Sequence, residues 1–186
     1  EYIENALTTS FDRLSTTSKE SEIVLQKFSP PATLIVPVRG IEHNLSQNLL
    51  SLANLNYPDY ELIVVARSAD DPGFQNAQTM LGEKAVFVVG GHPSPGTGEK
   101  VNNLLAAVKK VRPQSVILAF ADSDGQVTPN WLLNLVQPLE DEKLGATTSF
   151  RWYFPEDGGF WPLLRSAWDS TIAGNINTQD RNFAWG

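Results

Sequence analysis

Two carboxylates two residues apart, Asp122 and Asp124 in Asp122-Ser123-Asp124-Gly125, follow an apolar run that ends at Phe120. In an extended segment, residues i and i+2 project to the same side, so the pair could hold a divalent cation. Hard oxygen ligands suit Mg²⁺ or Mn²⁺, which take one or two carboxylates and complete their shell with phosphate oxygens and water. Asp-x-Asp-Gly is also turn chemistry. Its position directly after a buried strand favours the metal–diphosphate reading.

Three other segments carry groups of the same kind. Asp70-Asp71-Pro72-Gly73 has two readings of equal standing. Asp71 is a good helix N-cap with Pro72 at the first helical position, or its carboxylate accepts hydrogen bonds from a nucleotide base or ribose. The Gly- and Pro-rich stretch from Gly90 to Gly98 leads into a helix that opens near Glu99-Lys100. A lysine in a first turn opposes the helix dipole, and a bound phosphate would offset that, because helix N-termini attract anions. The segment is neither a Walker A loop nor Gly-x-Gly-x-x-Gly. Pro37 ends or bulges the first strand, which puts Arg39 at a rim where it meets a phosphate, a base or only solvent. His43 and His92 read as surface and loop residues.

These groups need elements to position them. Apolar, β-branched runs at Thr33–Val38, Glu61–Ala66, Ala85–Val89 and Ser115–Phe120 predict buried parallel strands, with a weaker candidate at Ala146–Trp152. Helical stripes alternate with them: Leu45, Leu49 and Leu52; then Val101, Leu104, Leu105 and Val108; then Trp131, Leu132 and Leu135. The class is therefore α/β, a mostly parallel sheet with flanking helices. In such sheets ligands sit beyond the carboxyl ends of the strands, where all of the groups above fall.

Composition narrows the chemistry. The 186 residues hold no Cys and two His, which excludes thiol nucleophiles, disulfide scaffolds and multi-His metal sites. A net charge of −7 argues against a nucleic-acid partner. Residues 1–30 read as a polar helical arm or tether ended by Pro30-Pro31, and residues 31–186 as one domain. The first residue is Glu1 and the last residues, Asn182 to Gly186, bring no closing turn, so the domain reads as truncated at its C-terminus. The aromatic-rich stretch from Phe150 to Trp168 packs a core, lines an apolar acceptor groove or seats the domain against a membrane.

The ordered set Pro37-Val38-Arg39-Gly40, Asn44-Leu45, Leu55 to Leu62, Asp70-Asp71-Pro72, Lys100-Val101-Asn102-Asn103-Leu104 and Asp122-Ser123-Asp124 resembles inverting GT-A glycosyltransferases of the family 2 type. It is most similar to the ceramide glucosyltransferase-like branch, over roughly Pro31 to Gly186. The resemblance implies the Rossmann-like, nucleotide-binding half of a GT-A fold, a UDP-sugar donor, and Mn²⁺ or Mg²⁺. It further implies a lipid or other hydroxyl acceptor, and a place on the cytoplasmic face of a membrane through regions absent from this chain. On this resemblance Asp71 contacts the uracil, and Asp122 and Asp124 place the sugar and ribose and bind the metal under the diphosphate. Pro37, Arg39, Lys100, Asn103, Asp122 and Ser123 lie around the donor.

One departure stands out. The family's later acid, which serves as base, and its Gln-x-x-Arg-Trp motif are not found. Phe150-Arg151-Trp152 does not substitute, because position 148 is Thr. The base is therefore expected beyond Gly186, and this piece alone is expected to be inactive. Two rivals stand beside this reading. One is a haloacid dehalogenase-type Mg²⁺-dependent phosphatase, with Asp122 as nucleophile; the other is a nucleotide-sugar-binding module without turnover.

Overall fold

The computed structural model describes residues 28–149 and 159–175, with side chains as far as Ser170. The arm expected over residues 1–30 lies outside these, apart from its last three residues. The chain divides into two compact units between Gln137 and Pro138.

The first unit is built on a parallel sheet of four strands: β1 (Ala32–Pro37), β2 (Tyr60–Ala66), β3 (Val86–Val89) and β4 (Ile117–Phe120). Their order is β3-β2-β1-β4, with Leu34 beside Leu62 and Ile35 beside both Ile63 and Phe120. Each strand lies within two residues of the run that predicts it. Parallel strands carry all their carboxyl ends on one edge, so the four following loops converge.

Four helices clothe this sheet: α1 (Leu45–Ala53), α2 (Pro72–Leu81), α3 (Glu99–Val108) and α4 (Trp131–Val136). One face buries Leu34, Val36, Leu62 and Val64 under Leu49 and Leu52 of α1, Phe74 and Ala77 of α2, and Leu132 and Val136 of α4. Each such aliphatic side chain contributes about 1.5–3 kcal/mol by leaving water. The other face carries Ile35, Ile63, Val65 and Val88 under α3.

Here α3 departs from expectation. Of its predicted apolar stripe, Val101 and Leu105 are 54% and 55% exposed, and Asn103 and Ala107 are the buried pair. Small or polar side chains let the helix approach the sheet closely; Leu104 of the stripe packs against this face, while Val101, Leu105 and Val108 fall outside the contact.

At the amino end of the sheet, buried Thr33 is satisfied by Glu61 and Ser115 at 2.7 and 2.5 Å. Glu61 also receives the Arg112 backbone N–H, and the Arg112 guanidinium reaches Asp59 at 2.6 Å. Polar closure at this end leaves the opposite edge for ligand chemistry.

In the second unit, the weaker strand candidate is not found: residues 146–149 have no regular structure, and 150–152 lie outside the described residues. Helix α5 (Phe160–Asn175) carries Phe160, Trp161, Leu163 and Trp168 as exposed side chains. Phe160 and Trp161 meet edge to face at 5.2 Å. The rest of the aromatic stretch, 150–158, lies outside the described residues.

Candidate functional site

The loops after the four strands enclose two adjoining cavities. The first, about 290 Å³, is lined by Pro37, Arg39, Lys100, Asn103, Asp122 and Asp124, with Ser123 beside them. It therefore gathers every predicted site residue except Asp71. The second, about 530 Å³, is lined by Arg67, Ser68, Asp70, Asp71 and His92. Arg39 and Glu99 border both.

The geometry of Asp122-Ser123-Asp124 is set from α1. Asn48, buried in that helix, donates its Nδ2 hydrogen to the Ser123 carbonyl at 3.0 Å. Ser51 Oγ accepts from the Val127 backbone N–H. Ser123 itself turns inward and donates to Glu42 Oε2 at 2.9 Å. With the middle residue held on both its backbone and its side chain, Asp122 and Asp124 are presented together to the cavity.

Lys100, in the first turn of α3, reaches Asp122: Nζ lies 2.5 Å from Oδ1. The helix begins at Glu99, and its N-cap residue Gly98 provides no side-chain cap, so the cavity faces a helix N-terminus that its own cap position leaves open. Behind Lys100, Asn103 is buried, and its Oδ1 has no hydrogen-bond partner. That oxygen presses on Gly90, where a Cβ would lie 2.3 Å away. Gly90 is required for this approach, and the NH₂ end of the amide is the one left for the cavity. Asn102 fastens the same loop by donating to the carbonyls of Gly90 and Gly91.

Asp71 proves to be a cap and more. Its Oδ1 accepts from the backbone N–H groups of Gly73 and Phe74, which starts α2, and both of its oxygens accept from Gly40 N–H. Gly73 lies so close to the Gly40 turn that a Cβ there would fall 2.0 Å from the Gly40 carbonyl oxygen. A carboxylate offers about four acceptor sites. Oδ1 is crowded by three bonds, whereas Oδ2 holds one and has room for another donor.

Residues that sequence reasoning passed over complete the rim. Arg67 directly follows β2; its guanidinium contacts His92 Nδ1 at 3.1 Å and Glu99 Oε2 at 3.4 Å. Glu99 Oε1 lies 3.7 Å from Arg39 Nε. The strand-end rule points at Arg67 in principle. Asn48 gives no such signal, being a polar residue within an amphipathic helix.

The described residues contain no cluster of three His, Asp or Glu side chains able to enclose a metal. A pair of carboxylates beside a lysine and an open helix N-terminus is instead a donor set for a cation that shares its shell with phosphate oxygens. The residues fit Mg²⁺ or Mn²⁺ bound with a diphosphate.

The family described as glycosyl transferase family 21 matches residues 3–168. The chain belongs to that family. Glycosyltransferase family 21 membership removes the haloacid dehalogenase reading and agrees with the ceramide glucosyltransferase-like resemblance. Ceramide glucosyltransferase 1 of Caenorhabditis elegans is 27% identical over 124 residues, covering 64% of this chain and 26% of that protein. Ceramide glucosyltransferase of Komagataella phaffii is 30% identical over 99 residues, covering 44% of this chain and 19% of that protein. The chain thus spans about a quarter or less of the curated relatives it matches. In fold, it superposes on the mannosyltransferase PcManGT from Pyrobaculum calidifontis, solved with GDP-Man and Mn²⁺. The TM-score is 0.53 at 20% identity, over 78% of this chain and 45% of that one. This family 21 chain accordingly has the α/β, Rossmann-like half of a GT-A fold. No helix among its described residues is long and apolar enough to cross a membrane.

Proposed function

We propose that this chain is the donor-binding part of an inverting glycosyltransferase that moves a sugar from UDP to a hydroxyl on a lipid acceptor. The observation that carries the reading is the first cavity, where Asp122, Asp124, Lys100 and Asn103 meet at the open end of α3. The diphosphate lies there, with Lys100 Nζ and the free amides of α3 as its donors. The uracil takes the second cavity, with Asp71 Oδ2 accepting its ring N–H. Pro37 and Arg39 frame the passage between, and Ser123 sets the spacing of the two carboxylates.

Asp122 and Asp124 would hold Mn²⁺ or Mg²⁺, which when bound would supply Lewis-acid stabilisation to the leaving diphosphate. The acceptor hydroxyl attacks the anomeric carbon from the opposite side and inverts it. The later acid and the Gln-x-x-Arg-Trp motif of the family have no counterpart in the sequence in hand, so the base that takes the hydroxyl proton is assigned to the protein beyond Gly186. The names of the two curated relatives support ceramide or a similar lipid as acceptor, hence action at a membrane, on its cytoplasmic face. Attachment there comes from regions outside this chain.

Calorimetry of UDP binding tests the reading. UDP binds with Mn²⁺ or Mg²⁺ and much more weakly in EDTA, and Asp124→Asn abolishes the metal dependence while the fold persists. Affinity indifferent to both EDTA and the substitution would overturn it.

A further inference from the structure

Two side chains, Arg39 and Glu99, separate the two cavities and border both. Glu99 opens α3, and its side chain is only 24% exposed. Its oxygens point to two guanidinium groups, 3.7 Å from Arg39 Nε and 3.4 Å from Arg67 Nη1. Both distances exceed the ~2.7–2.9 Å of a close charge-assisted bond, so Glu99 is oriented by the arginines with acceptor capacity left over.

A nucleoside diphosphate reaching from one cavity to the other must lay its ribose across this partition. The ribose presents a vicinal pair of hydroxyl donors, and a carboxylate is the side chain that accepts from both at once. We propose that Glu99 is the ribose-selecting residue, accepting from the 2′- and 3′-hydroxyls and so favouring ribonucleotides over deoxyribonucleotides. The inference rests on the UDP-sugar reading above.

The charges make this workable. An uncompensated carboxylate beside a diphosphate would repel it. Arg39 and Arg67 flank Glu99 and cancel that field while leaving its lone pairs in place. His92, against the far side of the Arg67 guanidinium, keeps that arginine from swinging onto the phosphates.

The test compares binding of UDP and 2′-deoxy-UDP, each with Mn²⁺, to the intact protein and to Glu99→Gln. A hydrogen bond to a charged acceptor sets an expected preference for UDP of roughly ten-fold or more in the natural protein. In Glu99→Gln the preference falls to about two-fold or less, because the amide accepts with only one of its atoms and carries no charge. Glu99→Asp withdraws the carboxylate from the ribose while keeping its charge, and gives the same fall should Glu99→Gln not fold. Equal affinities in the natural protein would overturn the proposal. So would a preference that survives substitution, with both nucleotides weakened by one factor, since that is what a merely structural Glu99 predicts. Failure of the natural protein to bind either nucleotide would overturn the donor-binding reading itself, and the role of Glu99 with it.

Discussion

Asp71 accepts the Gly40 backbone N–H with both carboxylate oxygens, at 3.0 and 2.9 Å, while its Oδ1 also caps α2. One side chain thereby ties the turn after β1 to the start of the helix after β2. Considered only as a cap, Asp71 is replaceable by Asn. With Gly40 included it is not, because an amide must aim its NH₂ at one set of backbone N–H donors. Asp71→Asn is expected to cost about 1–3 kcal/mol, a fall in Tm of roughly 3–10 °C for a chain of this size. Scanning calorimetry checks it, and an unchanged Tm would show that the Gly40 turn stands without Asp71.

The Lys100–Asp122 pair sets up a competition for Asp122 Oδ1, which Lys100 Nζ approaches to 2.5 Å. In Lys100→Met the nucleotide-free protein is expected to bind Mn²⁺ up to about five-fold more tightly, the scale of an exposed ion pair. UDP binding weakens in the same variant, because an ammonium is lost from the diphosphate. Electron paramagnetic resonance of free Mn²⁺, beside UDP calorimetry, separates the two effects. Unchanged Mn²⁺ affinity would mean that the ammonium and the metal do not share that oxygen.

Asn48 touches neither cavity, yet its bond to the Ser123 carbonyl fixes the turn that carries both metal ligands. Removing such an outer partner typically costs 10–100-fold in metal affinity. Asn48→Ala should therefore show a loss of roughly that size in Mn²⁺-dependent UDP binding, with the far-UV spectrum intact. Full retention of affinity would assign the positioning to Glu42 and Ser51 instead.

Tyr57 brings a pH limit. Its hydroxyl donates to the Pro30 carbonyl at 2.6 Å, and burial, aided by the Asp59 charge, pushes its pKa up to about 12. The folded state thus holds this proton more tightly than the unfolded chain does. The associated stability is complete below pH 10 and is lost as pH rises from about 10 to 12. Burial raises the Tyr60 hydroxyl in the same sense. Urea midpoints should fall through that window, and less steeply in Tyr57→Phe.

Much of this arrangement was written locally. The strands β1 and β2 follow from continuous β-branched runs buried on both faces, whereas β3 and β4, read from similar runs as buried, are the sheet edges and leave Val86, Val89, Leu118 and Phe120 exposed. The crevice then follows from parallel topology, which is why Asp122, Lys100 and Arg39, spread over the sequence, meet in one cavity. What stayed hidden is tertiary. The stripe on α3 gave Val101 and Leu105 as the inward face, whereas the close approach to Gly90 selects Asn103 and Ala107. The bonds from Asn48 to Ser123 and from Asp71 to Gly40 join residues whose separation no periodicity records. Glu99 reads as an ordinary helix-opening acid until Arg39 and Arg67 are seen on either side of it.

The strand order bears on how the chain emerges from the ribosome. Ile35 pairs with Ile63 on one side and with Phe120 on the other, so β1 and β2 can dock long before β4 exists. At ~5–20 residues per second, roughly 3–10 seconds pass between Ala66 and Ile117, in which one edge of β1 offers its unpaired amides and carbonyls to any passing strand. Arg112, which precedes β4 in the order of synthesis, arrives just before that edge closes and sets positive charge at the Ala32 carbonyl, 3.5 Å away. Slowing translation between Val89 and Ile117 would lengthen the exposure, and the nascent chain would become more dependent on chaperones without any change in the finished fold.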